Sequence, residues 1–167
     1  MQNTICRLKP KGRDAGVTLV EMLIVVAIIA LLASMVIGVA AHIRIQGEQQ
    51  LTKNVMAVLE GALEEYRDFY GYFPPQPDMK PDDAPQHSEL LYGELYLVPT
   101  SRTILEKFTP SRFADTDGDV VIELVDPWNK PMDYIYDDVG GDNFPRLISA
   151  GPDKEFGTGD DIDSRKL

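Results

Sequence analysis

Residues 16–41 read GVTLVEMLIVVAIIALLASMVIGVAA, and the remainder of the chain is arranged around them. From Met22 to Ala41 there is no charged side chain. At about 1.5 Å per helical residue, such a run reaches about 30 Å, the thickness of a bilayer's hydrocarbon core. The stretch therefore predicts a membrane-spanning helix with one anomaly, Glu21 at its start. A carboxylate at the edge of hydrocarbon is costly to keep there and marks a functional position. A secretory signal has an apolar core of only about 7–15 residues, followed by a small-x-small cleavage site. This run is longer and leaves through His42-Ile43-Arg44, so that reading fails. A plain single-span anchor stays possible, but it needs neither Glu21 nor the glycine ahead of it.

Charge is divided sharply about this helix. Arg7, Lys9, Lys11 and Arg13 against Asp14 make residues 1–16 net +3, which leaves −14 of the total −11 on the rest. Positive flanks stay in the cytoplasm, so the C-terminal part is expected to face outward. An acidic domain also argues against nucleic acid as a partner, because neutralising phosphates requires Lys and Arg. The 167 residues suit one span and one modest soluble domain. The single cysteine, Cys6, precedes the span, so the soluble part has no disulfide available.

Beyond Ala41 the helix is expected to continue as an amphipathic one. Leu51, Val55, Val58, Leu59, Ala62, Leu63, Tyr66 and Phe69 keep three–four spacing, with Lys53, Glu60, Glu64, Glu65 and Arg67 on other faces. Gly71 supplies a stop and Pro74-Pro75 forbids continuation. Residues 74–86 read as an exposed loop rich in Pro and Asp, followed by two short helices over 88–98 and 101–108. Ser88 and Ser101 are placed to cap them, and Pro99 separates them. Three short strands are expected at 120–125, 132–136 and 146–150. Asp126-Pro127-Trp128-Asn129-Lys130-Pro131 makes the connection between the first two, with Trp128 read as a packing residue.

Two stretches invite a metal. In Asp115-Thr116-Asp117-Gly118-Asp119 the glycine falls between aspartates rather than at the sixth position of a calcium loop, so a turn into a strand is the preferred reading. Residues 149–162, SAGPDKEFGTGDDI, place three aspartates and three glycines in a short span. Hard cations such as calcium take six to eight carboxylate and carbonyl oxygens, and glycines let a chain turn carbonyls inward. A solvated acidic tail and a cation loop both remain open on composition alone. No catalytic constellation is present: His42, His87 and Cys6 stand in unrelated contexts, and there is no phosphate loop or HExxH.

Gly16-Val17-Thr18-Leu19-Val20-Glu21 before an apolar helix resembles the class III signal of type IV prepilins and type II secretion pseudopilins. In that family a prepilin peptidase cuts after the glycine and methylates the new amine, which the resemblance places at Gly16 and Val17. The glutamate of the fifth mature position is Glu21, implied to pair with the amine of a neighbouring subunit during assembly. Val17 departs from the usual Phe or Met, and Gly38 stands near where relatives carry a helix proline. Tyr72-Phe73-Pro74, the Trp128 turn and Ser149-Ala150-Gly151-Pro152-Asp153 followed by Asp160-Asp161-Ile162 are similar to the major, G-type pseudopilin.

That resemblance implies an α+β, pilin-like fold. A long N-terminal helix, membrane-spanning and then amphipathic, packs on a small antiparallel sheet with short helices and a C-terminal calcium loop. The expected parts are a leader (1–16), a transmembrane and filament-core helix (17–41) and an extracytoplasmic domain (42–167). The last comprises helix 42–70, a variable helical region 75–113, a sheet over 119–150 and the calcium loop 149–163. Carried over by position, Asp153, Asp160 and Asp161 would give side chains to Ca²⁺, and Ala150 and Thr158 carbonyls. The implied role is that of a polymerising subunit of a periplasmic pseudopilus for protein export. Its implied partners are the prepilin peptidase, copies of itself, minor pseudopilins, an inner-membrane platform with its ATPase, and inner-membrane lipid before assembly. The expected location is the bacterial inner membrane, single-pass, with the leader cytoplasmic. Two other readings stay open: a surface type IV pilin, and a membrane-tethered calcium-dependent binding module that never polymerises.

Overall fold

The computed structural model describes residues 16–76, 83–136 and 144–167. The leader through residue 15 lies outside them. Helix α1 (Leu19–Tyr70) is the first element, and chain contacts divide the protein into two units at Ala41/His42. In the first unit the described residues of α1 bury nothing: Leu19, Ile29 and Ile37 are 80%, 59% and 70% exposed. A helix that is apolar all round finds no cover within its own chain and needs lipid or other helices. This helix is long and apolar enough to cross a membrane.

In the second unit, α1 turns one face into the core through Val55, Met56, Leu59, Ala62, Leu63 and Tyr66. Three positions of the expected stripe lie off that face, since Leu51, Val58 and Phe69 are exposed while Thr52 and Met56 are buried. The covered sector is narrower than three–four spacing alone implies. Gly71, at φ 85°, ends the helix and donates its N–H to the Arg67 carbonyl at 2.7 Å, the left-handed stop expected there.

Helices α2 (Ala84–Leu97) and α3 (Pro99–Leu105) cover the core with Leu91, Leu95, Val98 and Leu105. Neither serine caps a helix. The α2 helix begins earlier, at Ala84, so Ser88 lies inside it, buried, and spends its hydroxyl on β2: it donates to the Leu124 carbonyl and accepts the Leu124 N–H at 2.8 Å. Ser101 sits inside α3 and donates to the Ala62 carbonyl of α1 at 2.8 Å. A proline at each helix start supplies the fixed φ that a first turn favours, without a side-chain cap.

Among the described residues two small antiparallel sheets follow. β1 (Phe113–Ala114) pairs with β2 (Glu123–Leu124). The second sheet runs β3 (Asp133–Ile135), β4 (Arg146–Ser149), β5 (Ile162–Asp163), with β4 central. The expected strand over 120–125 shrinks to two residues. Asp115 accepts the N–H groups of Gly118 and Val120, and Asp119 accepts that of Val121, so donors a ladder would use are already taken. Val120 adopts φ 76°, which a strand does not allow. β1 and β5 were not legible in the sequence; β5 makes the end of the acidic tail part of the sheet. Asn129, at φ 63°, takes the left-handed conformation in the Trp128 turn. The α+β, pilin-like arrangement is thus present.

Candidate functional site

At the start of α1, Gly16 and Val17 are exposed and precede the first helical turn. Thr18 and Glu21 cap that turn reciprocally. The Thr18 N–H and hydroxyl both donate to Glu21 Oε2 at 2.8 Å, and the Glu21 N–H donates back to Thr18 Oγ1 at 3.2 Å. This is the Ser/Thr-x-x-Glu capping box, which satisfies two donors that every helix start leaves open. The three-residue spacing of Thr18 and Glu21 in the signal motif is the sequence signature of such a box.

Four of the five residues implied for calcium lie on one loop between β4 and β5, with Ala150 at its entrance. Ala150 is fully buried. Gly151, at φ 69°, has the backbone carbonyl of Asp160 where a Cβ would stand, so the two ends of the loop cross in contact. Asp160 Oδ2 accepts the Asp153 N–H at 3.2 Å and Oδ1 accepts the Thr158 hydroxyl at 2.6 Å. Those bonds, the Thr158 hydroxyl foremost, hold the Asp160 carboxyl below its ordinary range. Asp153 Oδ1 accepts the Glu155 N–H, and Asp161 Oδ2 accepts that of Gly157. Asp161 Oδ1 is buried with no hydrogen-bond partner. Lys154 adopts φ 64°, a left-handed conformation that costs a side chain more than it costs glycine. The donors are all hard oxygens, and one of them is buried and unmet. The donor set is of the kind Ca²⁺ takes, but the groups of three acidic side chains whose oxygens lie within 4.8 Å of one another are found elsewhere among the described residues.

Carboxylates gather elsewhere. Oxygens of Asp115, Asp117 and Asp119 lie within 4.8 Å of one another, as do those of Glu89, Asp117 and Glu123. Glu123 is wholly buried and accepts the Thr116 N–H and hydroxyl at 2.9–3.0 Å. Burial first, then the charges of Asp119, Asp117, Glu123 and Asp115, push the Glu89 carboxyl up. The turn expected here is present.

A buried pair was also missed. His87 Nδ1 lies 2.8 Å from Asp133 Oδ1, with both side chains inaccessible to solvent. Burial pushes the Asp133 carboxyl up, against the pull of His87. Nothing in the spacing of residues 87 and 133 signals that α2 and β3 meet there. The pair joins two elements deep in the core.

Residues 11–37 match the prokaryotic N-terminal methylation motif. The chain is 27% identical over 155 residues to the type II secretion system core protein G of Escherichia coli (strain K12), covering 93% of each. It is 27% identical over 160 residues to the protein of the same name from Aeromonas hydrophila, covering 94% of this chain and 96% of that one. No solved structure matches.

Proposed function

We propose, from the premise that this chain is a pilin-like protein of the type II secretion pseudopilin kind, that it is a structural subunit which polymerises into a pseudopilus driving protein export. The observation that carries this reading is the fully exposed apolar face of α1 behind a methylation motif. A helix so built rests in a bilayer as a monomer and packs against its own kind in a filament core. The motif and the apolar helix fit a single-pass protein of the inner membrane. The basic leader supports a cytoplasmic N-terminus and an extracytoplasmic domain.

On this reading the peptidase cuts between Gly16 and Val17, and Val17 carries the methylated amine. Cleavage leaves Thr18 and Glu21 in the new first turn, so the carboxylate is already ordered when the amine appears. In the filament, Glu21 pairs with the Val17 amine of a neighbouring copy, because an unpaired carboxylate in hydrocarbon costs several kcal/mol, roughly. Minor pseudopilins, a membrane platform and an ATPase complete the proposed machinery. Neither the surface-pilus reading nor the tether reading is favoured by the relatives. The subunit's task is mechanical, and no reaction is assigned to it.

Calcium belongs to the same proposal. Asp153, Asp160 and Asp161 would hold it with the carbonyls of Ala150 and Thr158. Bound there, the ion would tie the acidic loop shut in a domain without a disulfide. The loop's own residues order the site beforehand, through the crossing of Gly151 with Asp160 and the bonds of Thr158 and Gly157 to the two adjacent aspartates.

The test is Glu21→Val in the native host. Membrane insertion and removal of the leader are expected to persist, read by mass spectrometry of the N-terminus, while pseudopilus formation and protein export are lost. Normal filaments from Glu21→Val would refute the pairing, and a native protein that keeps its leader would refute the polymer.

A further inference from the structure

The acidic loop is held at both ends by the same strand. At its entrance, the Ser149 hydroxyl donates to the buried Asp126 Oδ2 at 2.6 Å and accepts the Gly151 N–H at 3.2 Å. At its exit, Asp161 leads directly into β5, a strand of only two residues paired through Ser149↔Ile162 and Ile148↔Asp163. So short a strand is weakly held by its ladder alone. The Asp163 carboxylate, almost wholly buried, is gripped by Arg146 Nη2 at 2.8 Å from the first residue of β4. Its other oxygen, Oδ1, accepts the Arg165 N–H at 3.1 Å, while the exposed Lys166 reaches only to 3.8 Å of Oδ2, the oxygen Arg146 holds. The Ser164 hydroxyl receives the Leu147 N–H at 3.2 Å and fastens the next residue as well.

Arg146 is therefore the charged fastening of the loop's exit, two residues beyond Asp161. It also lies in the field of Asp161 and Asp133, and its Nε is buried with no hydrogen-bond partner. Two effects of opposite sign follow from that position. A guanidinium near a cation loop repels the incoming ion, so its charge alone weakens binding. A guanidinium that fixes β5 sets where Asp161 stands before the ion arrives, so its grip strengthens binding.

We propose that Arg146 is a positioning residue for the loop's cation: through Asp163 it fixes β5 against β4, and this grip outweighs its own repulsion of the ion. The proposal rests on the calcium reading above and adds a residue that carries the wrong charge to be a ligand. Replacing a group bonded directly to a metal ligand costs about 10- to 100-fold in affinity; Arg146 acts one bond further out, so the low end, about 10-fold, is expected.

The full chain in detergent micelles, stripped with chelator, is titrated with calcium by calorimetry, and melting is followed in parallel with and without the ion. Arg146→Gln is expected to weaken calcium binding by about 10-fold, and Arg146→Lys to restore most of it. Asp163→Asn should weaken it too, with the double variant no worse than the weaker single one. Unchanged or tighter binding in Arg146→Gln overturns the proposal, since charge would then be the larger effect. So does a lower melting temperature in chelator with unaltered calcium affinity, which would make Arg146 a support of the fold alone. Should Arg146→Gln not fold, Asp163→Asn decides by the same criterion. A wild-type chain that binds no calcium removes the calcium reading and this proposal together, and so differs from a wild type that binds while Arg146→Gln binds equally well.

Discussion

Between Asp115 and Asp119 the carboxylates crowd together, whereas between Gly151 and Asp161 they are spread along a loop whose ends one strand holds. In the first loop the aspartates turn on their own backbone: Asp115 receives two N–H groups and Asp119 one, and the chain leaves through Val120 at φ 76° into a separate two-stranded sheet. In the second the chain crosses itself at Gly151 and returns to the three-stranded sheet, with one aspartate oxygen buried and unmet. Aspartate and glycine in similar proportion thus serve unlike ends. What separates the loops is where each carboxylate finds its donors, and whether the loop's exit is anchored.

The sharpest way to break the comparison is through its glycines. Gly151 and Gly118 both have φ in the left-handed region, but a Cβ at Gly151 meets the Asp160 carbonyl while one at Gly118 meets open space. Gly151→Ala is expected to cost about 3 kcal/mol in a chemical melt of the full chain, because clash adds to backbone strain. Gly118→Ala should cost about 1 kcal/mol, from strain only. Equal losses would mean that the second loop does not cross as described.

Calcium sharpens the contrast at a smaller scale. An ion present at ten times its dissociation constant stabilises the folded chain by about 1.4 kcal/mol. That shift in melting temperature should disappear in Asp161→Ala and survive in Asp117→Asn. The reverse pattern would transfer the ion to the loop where the carboxylates crowd.

The smallest effect concerns pH. Burial and four neighbouring carboxylates raise the Glu89 pKa above its ordinary value of 4.5, so the folded chain binds this proton more tightly than the unfolded one. Its ionisation therefore costs stability at neutral pH, and the cost fades as pH falls towards 4.5. Asp160 has the opposite sign. Its pKa is depressed, so its contribution is present above the ordinary 3.8 and is lost as pH falls below it. Glu89→Gln should stabilise the chain at pH 7 by less than about 1 kcal/mol and leave it unchanged near pH 4. A stabilisation independent of pH would point to packing instead of charge.

Much of this was readable in advance where chemistry is local in sequence. The span needs only twenty uncharged residues in a row, the stop at Gly71 only a glycine at a helix end, and the turn at Asn129 only a residue that tolerates positive φ. Legibility failed where partners are remote. Ser88 and Ser101 look like caps until Leu124 and Ala62 come within reach across the core. The strand expected at 120–125 has the right β-branched residues, but aspartates just upstream take its donors. His87 and Asp133 are 46 residues apart and meet only because α2 lies on β3. At the acidic tail the ligand types could be read, but the anchoring of β5 by Arg146 could not, since it depends on register between strands.

The reciprocal bonds of Thr18 and Glu21 bear on how a subunit waits. A threonine on its own chain gives the acid two neutral donors, so the carboxylate is ordered before assembly while its charge still lacks a partner. On the proposed function, joining a fibre would trade those donors for a neighbour's amine, which would bring the opposite charge that a threonine lacks.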